Sequence, residues 1–513
     1  MTLPAETIDM RRFQATSSLW LMIVVLCIPF ASPAQAEQLL AGTAKVDISE
    51  QSQPINDPLF VKALALKQGE TLAVLITVDA VSIGGIGYIS NDYLKNVRAA
   101  LQSDPGITPA NLLVNASHCH GIVCADVEQR TIQAVREAVQ NLVPVKAGAG
   151  VSQEVRIMEN RRLPLADGSE ADVRHAYSMP WDQDVVGIGP VDPEIGILRL
   201  DRMDGSPLAV VYNFACHPIQ GVPSKGSTAD FPGFASKVIE ENAGSSVMAF
   251  FVQGCAGDIN PVVYKDVDNP RDAEPFGNLL GLSTLRGFRQ IDTADNVELK
   301  VVNEPLALPR AVDAESRIAR LQEEQTRLLN SLRGTSLNFK TFVPLYLKHQ
   351  LNDEFPGYYS HRYLLDKANG REDMLKMDAE NRANINAYLA NIKTMERLTQ
   401  LNVNLNLLRL HLKQNQEADS DSLDVEVGGL RVGEFVLITF PGELTVQIGL
   451  NLKAKSPHRH TFVAGYTNGY IYYTPTKEQR LNTGYAQEDC DCLVGPEWQQ
   501  LFEQKVSEIL QSL

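Results

Sequence analysis

The sequence has no C-x-x-C pair, no long apolar run beyond its first forty residues, no internal repeat and no low-complexity tract. The first absence excludes a zinc knuckle. The second leaves no candidate membrane span downstream of the amino terminus, and the third excludes a solenoid or other repeat array. Excess positive charge is missing too. A formal net charge of −16 argues against a nucleic-acid partner, because binding a phosphate backbone needs a basic surface, and it disfavours electrostatic docking on anionic lipid. What remains is ordinary for a globular protein: 513 residues, 44% hydrophobic and 21% charged, enough for one or two domains with a large core.

The amino terminus reads as an export signal. Arg11 and Arg12 precede the apolar run Leu19–Phe30, and Ala34-Gln35-Ala36 follows as a small-residue cleavage pattern. Residues 1–36 are therefore expected to be a signal peptide, with the product periplasmic or secreted and no stable membrane span after cleavage. The alternative is an uncleaved anchor. Removing Glu6, Asp9, Arg11 and Arg12 leaves the net charge unchanged. Six cysteines remain, Cys119, Cys124, Cys216, Cys255, Cys490 and Cys492. In an exported protein they can pair or stay as buried thiols.

Further along, strand-like runs alternate with helix-like ones, which predicts an α/β core. Leu72–Val78 is a clear strand, Asn91–Gln102 a helix, Leu112–Asn115 a strand and Glu128–Leu142 a helix. Lys146–Ile157 reads as an edge strand. Strands Ile195–Leu200, Leu208–Phe214 and Val247–Val252 follow, with helix Phe231–Asn242 between the last two and helix Pro275–Gln290 after them. From about 311 to 405 the texture changes to a helical insertion: charged amphipathic helices at Ala314–Leu332 and Met377–Leu401 flank a linker carrying Tyr358, Tyr359 and Tyr363. Phe435–Phe440 then restores strand character. Helix Leu444–Lys455, strand His460–Ala464, a Tyr-rich loop and helix Pro496–Leu513 complete the chain. The fold class expected is thus a mixed β-sheet core flanked by helices.

In α/β proteins, ligands collect where strands end, and polar clusters stand at several such ends. His118 and His120 are two apart after an extended segment, a spacing that sets both rings on one side. His217 follows a separate strand and precedes Pro218. Glu443 sits at a turn after a buried strand, where an unpaired carboxylate is costly. Taken singly, each is most simply a hydrogen-bonded loop residue. Jointly, histidines and a glutamate at strand ends are the ligand types of a catalytic zinc, which keeps one position open for water. His349, His361, His411, His458 and His460 read as structural, Asp230 and Asp258 as loop organisers, and Tyr466, Tyr470 and Tyr472 as pocket wall or core.

These residues also carry a family resemblance. AGTAKVDI, ASHCHG, MENRR, GPVDPEIGILRL, NFACHP, STADFPGFA, QGCAGDINP, PGELTVQIGLNLK and GYTNGYIYYTPTKE occur in this order. Together they resemble the catalytic domain of the neutral, non-lysosomal ceramidases, zinc-dependent amide hydrolases. The resemblance covers most of residues 37–513 apart from the helical insertion. It implies one zinc per chain, with His118, His217, Glu443 and Tyr473 as ligands. It implies His120 as the proton-handling histidine, Tyr485 as a tyrosine facing the substrate carbonyl, and Arg161 as the substrate-binding arginine, with Arg162 close by.

Three departures accompany it. Asn260 stands where the family has serine, Cys119 and Cys216 stand where it has threonines, and the family's immunoglobulin-like C-terminal domain is not expected here. The expected activity is hydrolysis of a linear amide by metal-activated water, with N-acylsphingosine as the implied substrate. Two alternatives remain open: a related hydrolase of an N-acyl amino sugar, lipoamino acid or peptide-like amide, and a non-catalytic binding protein in which Asn260 marks lost activity. Oligomeric state is left open by the sequence.

Overall fold

Strands that are apolar on both faces need cover on both sides, and the chain supplies it in four layers. The computed structural model describes residues 37–244, 246–262 and 270–513. The expected signal segment lies outside the described residues. Eight strands form one sheet: β1 (Leu40–Asp47), β2 (Phe60–Gln68), β3 (Thr71–Val78), β4 (Leu112–Ala116), β5 (Val143–Gln153), β6 (Glu194–Arg202), β7 (Pro207–Phe214) and β8 (Met248–Gln253). Their order is β8-β7-β6-β5-β1-β2-β3-β4. The end pairs β3–β4 and β7–β8 are parallel and the inner pairs antiparallel, so the sheet is mixed. A second sheet runs β9 (Leu299–Pro309), β10 (Ser422–Val432), β11 (Phe435–Thr439) and β12 (His460–Ala464), with only β11–β12 parallel.

The period of two along β3 shows how the layers form. Leu72, Val74 and Ile76 pack with Tyr93 and Val97 of helix α1 (Tyr93–Leu101) and with Ala134 and Val135 of α2 (Val127–Gln140). Ala73 and Leu75 turn the other way, into a core shared with Leu430, Val432, Phe435 and Leu437 of the smaller sheet. The sheets approach closely at Gly196, where a Cβ would stand 2.2 Å from the Phe462 ring. Helices α3 (Asp230–Ala243) and α4 (Glu274–Phe288) cover β6–β8 through Phe231, Leu280 and Leu285. On the far face, α9 (Val446–Lys455) and α10 (Trp498–Ser512) bury Leu452, Trp498 and Phe502 against Val436 and Val463. Each such side chain, fully buried, contributes about 1.5–3 kcal/mol.

Between β9 and β10 the insertion forms four helices: α5 (Ala314–Ser331), α6 (Phe339–Leu351), α7 (Ser360–Ala368) and α8 (Asp373–Gln416). The aromatic linker is itself helical, started at α6 by reciprocal side-chain and backbone bonds between Asn338 and Thr341. The last helix continues to Gln416, past its expected end at Leu401 and past the expected end of the insertion near 405, because Leu405 and Leu408 still bury against Leu321 and Cys490. The segment expected as an edge strand is also different. β5 lies inside the sheet, between β6 and β1. Its Gly148 and Gly150 leave room for Ile291 and Asp292, which would meet a Cβ at under 3 Å.

Candidate metal centre

Three strands end at one place. β4 runs into His118, β7 into His217 and β11 into the turn before Glu443. Asn115, buried near the end of β4, ties that end to the ends of β8 and β12. Its amide donates to Gly465 O (2.8 Å) and Thr467 Oγ1 (3.0 Å), and its oxygen accepts from Gln253 N (3.0 Å) at the end of β8. Gly257 is required at the same junction. Its N–H meets Leu444 O at 2.8 Å, and a Cβ there would lie 2.7 Å from Glu443 O. His118 itself has a left-handed backbone, φ 69°, a conformation that costs about 1–3 kcal/mol in a non-glycine residue and clusters at functional sites.

One ligand atom from each of His118, His217 and Glu443 lies within 4.8 Å of the others, and all three residues are buried. His118 Nδ1 is 2.6 Å from Val81 O and His217 Nδ1 is 3.0 Å from Ile259 O. A carbonyl accepts only, so each Nδ1 carries the proton and each Nε2 turns a lone pair inward. Those lone pairs face Glu443 Oε2 at 3.7 Å from His118 and 3.1 Å from His217. The two ring nitrogens and Oε2 have no proton between them, and acceptors that converge in this way repel one another unless a cation stands in their midst. Two imidazole nitrogens and a carboxylate oxygen, oriented by backbone carbonyls, are the donor set of a divalent transition-metal site.

The charge states favour that use. Burial pushes the His118 pKa down to about 4, against the opposing pull of Glu443. Burial likewise lowers that of His217, so both rings stay neutral and compete little with a metal for protons. For Glu443, burial acts to raise the pKa, but His118, His217 and the Tyr470 hydroxyl outweigh it and hold the carboxyl well below its ordinary range.

Tyr473 lies beside the trio. It pairs with Glu443 in a two-residue parallel ladder, and its ring centroid is 6.5 Å from that of His217. Its hydroxyl is 3.4 Å from Arg174 Nη1. The Glu443 carboxylate is held instead by two other phenols: Tyr466 donates to Oε2 at 3.1 Å and Tyr470 donates to Oε1. These two tyrosines, expected only as wall or core, orient the candidate ligand directly. Tyr470→Phe is expected to weaken metal affinity by about 10–100-fold, the usual effect of losing a partner of a ligand. Titration with a competing chelator would measure it.

His120 is exposed, its ring 5.8 Å from that of His118. It stands in the wall of a cavity of about 620 Å³ with Pro218, Ile219, Val222, Thr228 and Asp230. The surrounding protein and the neighbouring His118 lower its pKa. Asp230 and Asp258 organise loops, Asp230 through Gly221 N (2.6 Å) and Asp258 through Val446 N (2.8 Å) at the start of α9.

Arg161 is buried and its donors are engaged within the protein. Nε donates to Glu488 (2.7 Å), Nη1 to Asn260 Oδ1 (3.1 Å) and Nη2 to Gly257 O and Glu488. Arg162 is tied to Asp489 (2.8 Å) and Glu170. A third arginine, Arg174, was not singled out in the sequence. It also pairs with Glu488 (2.6 Å) and stacks with its Cζ 5.6 Å from the Tyr473 ring centroid, while its Nε has no partner. Tyr485 is buried, its hydroxyl 3.4 Å from that of Tyr177. The six described cysteines are free buried thiols. Burial raises the pKa of Cys119 and Cys216, which sit behind the histidines as small apolar residues. None of His349, His361, His411, His458 and His460 joins the trio.

No family model matches the sequence, and no curated protein matches it. Solved structures do. A structure described as a ceramidase complexed with C2 superposes with a TM-score of 0.58 at 16% identity, covering 92% of this chain and 75% of that one. A neutral ceramidase from Pseudomonas aeruginosa gives 0.56 at 15% identity, over 93% and 75%. The chain therefore has the neutral ceramidase fold.

Proposed function

We propose that the chain is a zinc-dependent amide hydrolase of ceramidase type that cleaves N-acylsphingosine or a similarly built linear lipid amide. The observation that supports this most is the trio of inward-facing acceptors in a fold shared with ceramidases. His118, His217 and Glu443 would hold one zinc, with Tyr473 beside them as candidate fourth ligand. When bound, zinc supplies Lewis acidity, which polarises a carbonyl and brings the pKa of water from roughly 15.7 to about 7. His120 takes the proton of the attacking water and returns it to the departing amine, so that the C–N bond breaks to give a carboxylic acid and an amine. The uncommitted Nε–H of Arg174 and the hydroxyl of Tyr485 are donors for the developing oxyanion. Arg161 and Asn260 act behind them, Asn260 by accepting from Arg161. Prolines 218 and 223 with Ile219 and Val222 give the cavity beside His120 an apolar wall suited to an acyl chain.

Purified protein should hydrolyse a fluorescent short-chain ceramide faster than N-acyl amino sugars or lipoamino acids. Faster turnover of one of the latter would reassign the substrate. Zinc bound without turnover of any amide would make this a binding protein. Asn260→Ser is expected to change kcat/KM by less than about tenfold, because a serine hydroxyl also accepts from Arg161. A hundredfold gain would instead assign the nucleophile to that position. Export, with the product periplasmic or secreted, belongs to the same proposal and rests on the charged, apolar and Ala-Gln-Ala pattern of residues 1–36. Cell fractionation followed by amino-terminal sequencing, with Glu37 expected first, tests it.

A further inference from the structure

A second cavity, of about 450 Å³, lies between the helical insertion and the loop after the Tyr-rich segment. α5 contributes Arg317, Arg320 and Glu324, α8 contributes Arg397 and Asn404, and the loop contributes Lys477, Arg480 and Asp489. Five cations thus face three carboxylates, counting Asp313, in a protein whose net charge is −16. The carboxylates are already committed: Asp313 to Arg480 (2.6 Å), Glu324 to Arg397 (2.8 Å) and Asp489 to Arg162 (2.8 Å), which is not in this wall. Among the described residues, Arg317, Arg320 and Lys477 have no carboxylate partner.

Two buried polar atoms in the same wall are unsatisfied. Arg480 is 5% exposed and its Nη1 has no partner; Asn404 is 6% exposed and its Oδ1 has none. A buried guanidinium donor left unpaired is costly, more so than a neutral one. α5 also opens here, and its cap residue Asp313 makes no side-chain bond to the first-turn N–H groups, an end that favours negative charge.

We propose that this cavity binds a phosphoryl group, as a phosphate monoester or as phosphate itself. Guanidinium groups converging from two helices and a loop match several oxygens of one tetrahedral anion. The Asn404 amide is placed to bond a hydroxyl on the phosphorus or on its ester group. The volume falls in the range of small-molecule sites and leaves room for an organic part. The site is distinct from the metal centre, none of whose three ligands lines it.

Calorimetric titration of the zinc-loaded full chain in low-salt buffer tests this, with glycerol 3-phosphate, inorganic phosphate and sulfate as probes. One saturable phosphoryl site per chain is expected, with sulfate weaker. Tighter binding of glycerol 3-phosphate would identify a monoester site, and equal binding a phosphate site. Arg480→Met is expected to weaken binding about tenfold or more. Because Arg480 also holds Asp313, the exposed Arg320→Ala serves as a second variant that leaves the fold untouched, with loss in the same direction. His217→Ala should bind as the parent does. No saturable binding, or binding lost in His217→Ala and kept in both arginine variants, would overturn the proposal.

Discussion

His217→Ala is expected to empty the metal centre. Zinc measured on purified protein should fall from about one per chain to near zero, with amide turnover reduced at least about a thousandfold, because the drop of roughly nine units in the pKa of water is forfeited. The size of the effect follows from the geometry. His217 Nε2 is 3.1 Å from Glu443 Oε2 and its Nδ1 is fixed on Ile259 O. Water entering the space left by the ring would not carry that fixed lone pair. Helical content and the thermal midpoint should change little, since the ring faces the site rather than the sheet cores. Retention of stoichiometric zinc would mean that the metal sits elsewhere.

Arg161→Met should destabilise the protein by about 3–5 kcal/mol, the range for removing one partner from a buried charge cluster. Arg161, Arg162 and Arg174 share Glu488, which is fully buried. Without Arg161, one carboxylate loses its most buried counter-ion, and Gly257 O and Asn260 Oδ1 lose a donor. Denaturant unfolding monitored by circular dichroism would measure the loss; a change below about 1 kcal/mol would show that Arg162 and Arg174 compensate. The cluster also predicts an acid limit. Burial alone would raise the Glu488 pKa, but the three arginines hold it well below the ordinary carboxylate range. A depressed folded pKa means stability that is complete above the unfolded value of roughly 4.3 and is lost as pH falls below it. The parent should therefore lose stability steeply below about pH 4, and Glu488→Gln should flatten that slope.

The sequence carried the local half of this description. Leu72–Val78, Leu208–Phe214 and Phe435–Phe440 are apolar enough to be strands under any packing, and the structure forms strands there. The polar clusters after Leu112–Asn115, Leu208–Phe214 and Phe435–Phe440 named His118, His217 and Glu443 before their meeting was visible. β9 escaped notice because its side chains are mostly half-exposed and Pro305 breaks its alternation. Glu488 has no signal of its own; it is one acidic residue in an acidic chain until three arginines from residues 161–174 close around it. Tyr466 and Tyr470 were legible as residues and not as partners of Glu443, since a hydroxyl's partner depends on the turn that aims it.

By itself, then, the sequence determined which segments bury themselves and which ligand types stand at their ends, because periodicity and side-chain chemistry are local properties. Tertiary structure alone decided that two sheets face each other, that three strand ends from both sheets coincide, and that Arg174 rather than Arg161 keeps an uncommitted donor beside Tyr473. Those outcomes depend on contacts between residues hundreds of positions apart, whose free energies exist only once the chain has closed on itself.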